Sequence, residues 1–318
     1  MKISVALALY NSNEYLMEQL DSLKNQSRPA DEVILVDDAS TNDTVETVRK
    51  YIEENGLDHW KLICQPKNRG FIETFRHALK ECSGDVIFLC DHDDIWMPQK
   101  IQVMTDVFEK SNGKVQALAA SFIPVDKNNS PIETKAQKGK SNNNLLRKSV
   151  PAGSLTPIAF QDLAAYNVSP GCTAAITREL AQAYMPFEEK LPHDWALFAI
   201  AALQNGMYYL DRPLVRYRLH DSNTLGLTRQ KAWENRSRIA KIDADQKTAL
   251  LELAAQYEAD EQTFAYMKQV RDFYAKRAEA LAGRKAAALS VLLLKSRNVP
   301  FLYETLAADL LSAARSLK

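Results

Sequence analysis

Apolar runs of strand length alternate with segments of helical periodicity along the first third of the chain. Residues 3–10 form an apolar run of strand length, and residues 14–25 carry Leu16, Leu20 and Leu23 at helical spacing. The same signals predict strands at residues 32–36, 60–64, 86–90 and 115–122, and helices at residues 41–54, 71–81 and 99–110. This alternation is typical of a parallel, doubly wound α/β sheet with helices on both faces.

The middle of the chain continues less regularly. Residues 127–148 are rich in Asn, Lys and Ser and show no periodicity, so we expect a long mobile loop there. Beyond it the pattern predicts a turn and short strand at 169–176, a helix at 178–184, a helix with Asp194 in its first turn, and a strand pair at 207–210 and 214–219. Strand signals then cease. Helices are predicted at 233–257, 261–281, 285–295 and 301–317, which places a domain boundary near residues 227 and 228.

Composition narrows the classes of protein. The chain has 318 residues with 40 basic and 40 acidic side chains, so no overall charge favours nucleic acid as a partner. Its four cysteines show no CxxC spacing. No stretch approaches the roughly 20 apolar residues of a membrane span, and no cleavage pattern follows the first apolar run. We therefore expect a cytoplasmic protein that touches a membrane at its surface at most.

Three carboxylates, Asp91, Asp93 and Asp94, follow the predicted strand at residues 86–90. Carboxylates that lose water at a strand end repel one another, and a hard cation between them relieves that repulsion. Mg²⁺ and Mn²⁺ prefer such oxygen ligands together with substrate phosphates. The residues therefore favour a divalent metal holding a phosphorylated ligand. The alternative is a solvated acidic turn that caps the helix beginning near Gln99.

Polar residues also follow two other predicted strands, at Tyr10-Asn11 and at Asp37-Asp38. In open α/β sheets ligands bind beyond the carboxyl ends of the strands. The coincidence of three polar strand ends is stronger evidence for a ligand site than any one of them.

Seven segments occur in the order of one known family. They are LYNSNEYLMEQLDSLKNQ, DEVILVDDASTNDT, NRGF, GDVIFLCDHDDIWMPQK, SPGCTAAITREL, LPHDWALF and YRLHDSNTLG. With them the chain resembles a family 2 glycosyltransferase over roughly residues 1–227. The resemblance implies a GT-A fold (a Rossmann-like, mainly parallel mixed sheet flanked by helices), with a nucleotide-binding half at about 1–98 and an acceptor half at about 99–227. Residues 228–318 form the C-terminal helical region. CDHDDIWMPQK and YRLHDSNTLG are closest to the rhamnosyltransferase-like subgroup, which commonly builds O-antigen or other surface polysaccharide.

The resemblance also implies a site. Asp91 and Asp93 match the Asp-x-Asp motif, so Asp93 would bind Mn²⁺ or Mg²⁺ and Asp91 would hold the ribose or the waters of the metal. His220 lies where some members place a further metal or diphosphate contact. Asp194 matches the general base of an inverting transfer. The implied donor-binding positions are Ala8, Tyr10, Asn11, Asp38, Lys67, Arg69, Asp91, His92 and Asp93.

Two departures from commoner family patterns matter. No Gln-x-x-Arg-Trp motif occurs, which argues against the processive synthases. Ala8 replaces a hydroxyl residue, so one nucleotide contact is left to the backbone.

Tyr10 offers a ring for stacking on the base. Asp38 can accept a hydrogen bond from the imide N–H of uracil or thymine, which suits a dTDP- or UDP-linked donor.

Structural alternatives exist for the site residues. Asp194 could be an ordinary carboxylate at a helix N-terminus, Asp37-Asp38 an Asx turn, and His220 a loop histidine. Trp96 and Trp195 could shape the sugar pockets or simply pack in the core. The apolar run at 286–294 could lie on a membrane that carries a lipid-linked acceptor, or could pack on the catalytic domain or in a homodimer.

Other functions compete with the transfer of a sugar to a glycan or lipid-linked glycan. A sugar-phosphate nucleotidyltransferase would want a glycine-rich loop after the first strand, where this chain has Tyr10-Asn11-Ser12-Asn13. A receiver-like module would leave Asp93 and Asp194 unexplained. A non-catalytic nucleotide-binding homologue is the third alternative, although every expected carboxylate is present.

Overall fold

The computed structural model describes residues 1–12, 14–187, 190–220, 233–283, 286–295, 306 and 309–310. In these residues nine strands form one sheet, with the order 60–64, 32–37, 3–9, 86–90, 174–177, 117–125, 207–218 and 95–96 across it, and with 155–157 paired to 207–218. The sheet is mixed, and most of its paired residues belong to parallel ladders. Helices flank it, and a helical region follows. The predicted fold class is confirmed.

The amino-terminal half is a parallel array. Its strands are β1 (Ile3–Leu9), β2 (Glu32–Asp37), β3 (Trp60–Cys64) and β4 (Val86–Cys90), and its helices are α1 (Leu16–Lys24), α2 (Thr44–Glu54) and α3 (Phe71–Glu81). Strands β1 and β4 are covered on both faces, so almost every side chain in them is buried. This burial explains why they read as unbroken apolar runs rather than as alternating patterns. The carboxyl ends of β1, β2 and β4 meet at one edge of the sheet.

The second half adds antiparallel strands. It contains β5 (Ile95–Trp96), α4 (Lys100–Lys110), β6 (Ala117–Val125), β7 (Leu155–Pro157), β8 (Ala174–Thr177), α6 (Arg178–Tyr184), α7 (His193–Leu203) and β9 (Met207–Arg218). Strand β8 runs antiparallel to both β4 and β6, and so joins the two halves of the sheet.

The strand pair expected at 207–210 and 214–219 is wrong. The structure has one strand, β9, which runs parallel to β6 over its length. Two register shifts beside Ser121 keep the strand continuous: the first takes up Asp211 and Arg212, and the second takes up Leu214. An irregularity of this kind takes up extra residues without reversing the chain.

Residues 127–148 contain no helix or named strand, as predicted, but side chains anchor them. The Asn142 amide donates to the Val168 carbonyl oxygen at 2.8 Å and to Ser169 Oγ at 2.9 Å. Leu146 is fully buried. The mobility of this loop stays a prediction.

The chain divides into two compact units. The first comprises Met1–Ala159 and Asn167–Asn223, and the second Phe160–Tyr166 and Thr224–Lys318. The second contains α5 (Phe160–Leu163), α8 (Trp233–Gln256), α9 (Glu261–Ala282) and α10 (Ala286–Lys295). Inside it, the buried Arg277 guanidinium bonds Asp309 and Asp243. The helix predicted at 301–317 falls mostly outside the described residues. Among those described, we find no helix with the length and hydropathy to cross a bilayer.

Candidate active site

The acidic segment after β4 brings Asp93 against the end of β9. Asp93 Oδ2 lies 3.0 Å from His220 Nε2, and the His220 ring packs 5.0 Å from the ring of Tyr15. The hydrogen bond to Asp93 raises the pKa of His220. The same bond and the neighbouring imidazoles outweigh burial and lower the pKa of Asp93. Asp93 is therefore an ionised carboxylate beside a histidine, two groups that the sequence predicted as metal ligands.

Asp91 belongs to a second cluster. The ligand atoms of Asp91, Asp94 and Cys172 all lie within 4.8 Å of one another. Burial and the neighbouring carboxylates raise the pKa of Asp91 well above its usual value. Burial first, and then Asp93, raise the pKa of Asp94 to about 7. The three carboxylates thus do not form one set. Asp94, whose Oδ1 accepts the Arg218 backbone N–H at 2.9 Å, is fully buried and holds the loop to β9.

A buried lysine lies close to this cluster. Lys100 is fully buried, its Nζ donates to the Cys172 carbonyl oxygen at 2.5 Å, and it lies 3.4 Å from the Trp96 ring centroid. Burial lowers the pKa of Lys100 to about 8. Its positive charge faces Asp91 and Asp94, which offsets part of their repulsion. Trp96 is buried under this ammonium group, so it packs in the core.

Arg218 joins the acidic segment to the rest of the first unit. Its side chain is fully buried, with Nε donating to the Asp93 carbonyl oxygen at 2.9 Å and Nη1 to the Lys127 carbonyl oxygen at 2.9 Å. Nη2 donates to Glu18 Oε2 at 2.6 Å. The guanidinium also lies 4.3 Å from the Tyr15 ring centroid. This arginine therefore fixes the backbone that presents the Asp93 carboxylate, a role that sequence reasoning missed.

Asp37 and Asp38 divide their roles at the end of β2. Asp37 accepts the Ser40 backbone N–H at 2.9 Å and forms the turn. Asp38 accepts the backbone N–H groups of Arg69 at 2.7 Å and Gly70 at 2.8 Å. The loop before α3 is thereby attached to the strand edge, and the Lys67 and Arg69 side chains are exposed on it.

The end of β1 completes this edge. The Tyr10 side chain is 46% exposed, so its ring is open to a ligand. Asn11 adopts a positive φ of 48°, and its Oδ1 accepts the Thr41 backbone N–H at 2.9 Å. Ala8 offers its backbone to the half-buried His92 ring through a hydrogen bond. Ala8, Asn11 and His92 thus connect neighbouring loops of the edge.

Asp194 lies in the first turn of α7, as predicted. Its Oδ2 accepts the Asn167 amide at 2.8 Å and its Oδ1 accepts the Trp195 backbone N–H at 2.8 Å. Burial raises the pKa of Asp194 to about 6, and these hydrogen bonds limit the rise. A Cβ on Gly171 would lie 3.1 Å from Asp194 Cβ, so glycine permits the close approach. The side chain is a buried carboxylate that titrates just below neutral pH.

His193 is a neutral neighbour of Asp194. Its ring stacks on Phe75 with centroids 3.8 Å apart, and neither ring nitrogen has a hydrogen-bond partner among the residues that the structure describes. Burial lowers the pKa of His193 to about 3. His193 therefore contributes aromatic packing next to Asp194, and no positive charge.

The model of the family described as glycosyl transferase family 2 matches residues 4–171. That is more than half of the chain. The chain belongs to glycosyl transferase family 2. The matched residues include Asp38, Asp91 and Asp93, whereas Asp194 and His220 lie beyond them and rest on the geometry above.

Relatives and solved structures agree with this family. An uncharacterized glycosyltransferase, alr2836 of Nostoc sp., is 26% identical over 70% of this chain and 66% of its own length. The dTDP-rhamnosyl transferase RfbG of Shigella flexneri is 28% identical over 69% of this chain and 73% of its own. The chain spans about two thirds of the Nostoc relative, and only 40% of YwdF of Bacillus subtilis.

The structural neighbours share the fold of this family 2 chain. Residues 1–349 of TarS from S. aureus, in complex with UDP-GlcNAc, superpose with a TM-score of 0.56 at 18% identity and cover 98% of this chain and 89% of that one. The mannosyltransferase PcManGT of Pyrobaculum calidifontis, in complex with GDP-Man and Mn²⁺, gives 0.57 at 20% identity and covers 99% and 86%.

Proposed function

We propose that the chain is an inverting, divalent-metal-dependent glycosyltransferase that moves a sugar from a nucleotide diphosphate to a glycan or lipid-linked glycan. The observation that carries the proposal is the proximity of two acidic groups. Asp194, at the start of α7, packs against the turn at Gly171, and the next residue, Cys172, has its Sγ within 4.8 Å of a carboxylate oxygen of Asp91, after β4. After burial, Asp93 and Asp94, Asp194 also contributes to the raised pKa of Asp91. A carboxylate suited to proton transfer therefore lies near the edge where the family places the donor.

The residues at this edge fit Mn²⁺ or Mg²⁺. Asp93 is ionised, its carboxylate is a hard oxygen ligand, and Asp91 carries a raised pKa that a nearby dication would lower. Asp93 and the adjoining His220 would hold the ion, and Asp91 would hold the ribose or the waters of the metal. When bound, the metal supplies charge neutralisation to the departing diphosphate.

The chain itself would supply binding and proton transfer. Tyr10, Asn11, Asp38 and the Ala8 backbone would hold the nucleoside, with Lys67 and Arg69 reaching the diphosphate. Asp194 would take the proton from the acceptor hydroxyl as that oxygen attacks the anomeric carbon from the face opposite the leaving group. A single displacement of this kind inverts the anomeric centre.

The preferred donor is dTDP-rhamnose. The likeness to RfbG, named a dTDP-rhamnosyl transferase, supports it. A UDP-hexose or UDP-N-acetylhexosamine is the alternative, and the UDP-GlcNAc complex of TarS favours it. The proposed acceptor, O-antigen or another surface polysaccharide, rests on the resemblance of CDHDDIWMPQK and YRLHDSNTLG to the rhamnosyltransferase-like subgroup.

The place of the chain in the cell is also a proposal: cytoplasmic, with peripheral contact to a membrane. In α10 Val291 is 49% exposed, which suits contact of this apolar helix with a membrane or a second copy.

Asp93→Asn should abolish the metal dependence of nucleotide binding. The amide keeps the size of the side chain but removes the charge that attracts a dication. Calorimetric titration of dTDP and UDP, with and without Mn²⁺, measures the effect. In the wild type, Mn²⁺ should lower the Kd for the nucleotide at least tenfold. In the variant, Mn²⁺ should leave that Kd unchanged. Asp126→Asn, in a turn after β6, is the control. Equal Mn²⁺ enhancement in Asp93→Asn and the wild type would contradict the assignment.

A further inference from the structure

The Asp194 carboxylate is held from outside its own helix by one side-chain amide. Asn167 Nδ2 donates to Asp194 Oδ2 at 2.8 Å. Asn167 lies in the irregular segment between α5 and β8, where no sequence motif marks it. We propose that Asn167 is a positioning residue that fixes the Asp194 carboxylate in the orientation that accepts the acceptor's proton. The inference deepens the proposed function, since it rests on Asp194 as the base.

The orientation of the Asn167 amide is determined by its two partners. Its Oδ1 accepts the Val168 backbone N–H at 2.9 Å while its Nδ2 faces the carboxylate. A flipped amide would place oxygen against the Asp194 oxygens and NH₂ against the Val168 N–H, which are two repulsive contacts. The amide therefore presents a donor to Asp194 and cannot exchange it for an acceptor.

The other side of the carboxylate is also fixed. Asp194 Oδ1 accepts the Trp195 backbone N–H at 2.8 Å, and the Gly171 backbone bonds the same carboxylate. A Cβ at Gly171 would lie 3.5 Å from Asp194 Oδ2, so the turn closes against that oxygen. With both oxygens held, the carboxylate rotates little.

Among the described residues, Asn167 is the side-chain donor to Asp194, and no titratable neighbour takes that place. From its own helix His193 is neutral, because burial lowers its pKa to about 3. From the end of β4 Asp91 interacts with Asp194 as a like charge. In the turn before β8 the Cys172 thiol bonds Asp94 instead. A neutral donor favours the ionised carboxylate without adding a cation that would compete for the proton.

The test is a titration of the Asp194 carboxyl by ¹³C NMR in full-length protein labelled at aspartate, with Asp194→Asn to assign the signal. Asn167→Ala should raise the pKa of Asp194 by about one pH unit, the size expected when one hydrogen bond to a charged group is lost. Asn167→Asp, which keeps the bond from Val168 and replaces the donor by an acceptor, should raise it further.

Asn142→Ala is the matched control. Asn142 bonds Val168 and Ser169 in the same segment but does not touch Asp194, so its loss should loosen the segment and leave the Asp194 titration unchanged. An unshifted Asp194 in both Asn167 variants would overturn the proposal. So would an equal shift in Asn142→Ala, since the effect would then belong to the segment as a whole.

Because this titration needs no substrate, it separates the two proposals. If the pKa of Asp194 shifts in the Asn167 variants but the wild-type protein consumes neither dTDP-rhamnose nor UDP-GlcNAc, the contact between Asn167 and Asp194 is supported and the proposed function is contradicted. In turnover measurements, Asn167→Ala should move the acid limb of the pH profile of kcat to higher pH, by the same amount as the pKa of Asp194. The KM for the donor should stay unchanged. A change in KM alone would overturn the positioning role.

Discussion

Asp194→Asn is expected to lower sugar transfer by roughly 10²–10⁴-fold, the usual contribution of a general base, and to leave donor binding intact. The amide keeps the size of the side chain but cannot take the acceptor proton. In the wild type the rate should fall as pH drops through about 6, because the pKa of Asp194, raised by burial, lies there and only the ionised form is a base. Initial rates with dTDP-rhamnose or UDP-GlcNAc across pH, and calorimetric binding of the nucleotide, measure the two effects.

Glu179→Gln provides the matched control for this substitution. Like Asp194, Glu179 is the second residue of a helix and lies in its first turn, but it is exposed. If Asp194 acted only on the helix dipole, both variants would lose at most about 1 kcal/mol of stability and keep their activity. Near-normal turnover in Asp194→Asn would therefore remove it as the base.

Arg218→Ala is expected to destabilise the first unit by about 3–5 kcal/mol and to abolish Mn²⁺-dependent nucleotide binding. The ion pair between Arg218 and Glu18 contributes little to this stability, because the Glu18 side chain is half exposed to water. The larger loss comes from the cavity and from the carbonyl oxygens of Asp93 and Lys127, which lose their donor. Without that support the acidic segment should no longer present the Asp93 carboxylate. Chemical denaturation and nucleotide calorimetry measure the two effects.

Arg216→Ala controls for a lost arginine on the same strand. The Arg216 side chain bonds Asn129 Oδ1 at 2.9 Å in the neighbouring loop, and its backbone pairs with Ile95, after the three carboxylates. Arg216→Ala should destabilise the first unit less than Arg218→Ala does, and it should keep Mn²⁺-dependent nucleotide binding. Wild-type stability and nucleotide affinity in Arg218→Ala would show that Arg218 does not organise the site.

The strands at β1, β2 and β4 were predictable because burial on both faces leaves a continuous apolar run. The sequence predicts two strands where the structure has β9, because Asp211 and Arg212 interrupt the apolar pattern, whereas pairing to β6 continues on both sides of them. Strands β5 and β7 have two and three residues, too few for a period to register.

Some residues of the candidate site are marked by the sequence, and others are not. Asp93 and Asp194 could be found because a motif and a helix start mark them. Their supports could not, since Arg218 reaches Glu18 across 200 residues and Asn167 reaches Asp194 across 27. Such partners are set by the tertiary fold. Asp94 shows the converse, because its place in the acidic run suggested a metal ligand and its burial gives it a structural bond to β9.

Anomalous diffraction from a crystal of the protein with dTDP and Mn²⁺ tests the central claim most directly. The proposed function predicts a manganese peak within coordination distance of the Asp93 carboxylate, in contact with the diphosphate, with the thymine ring beside Tyr10. A peak among Asp91, Asp94 and Cys172 and away from the diphosphate, or bound dTDP with no peak, would contradict it.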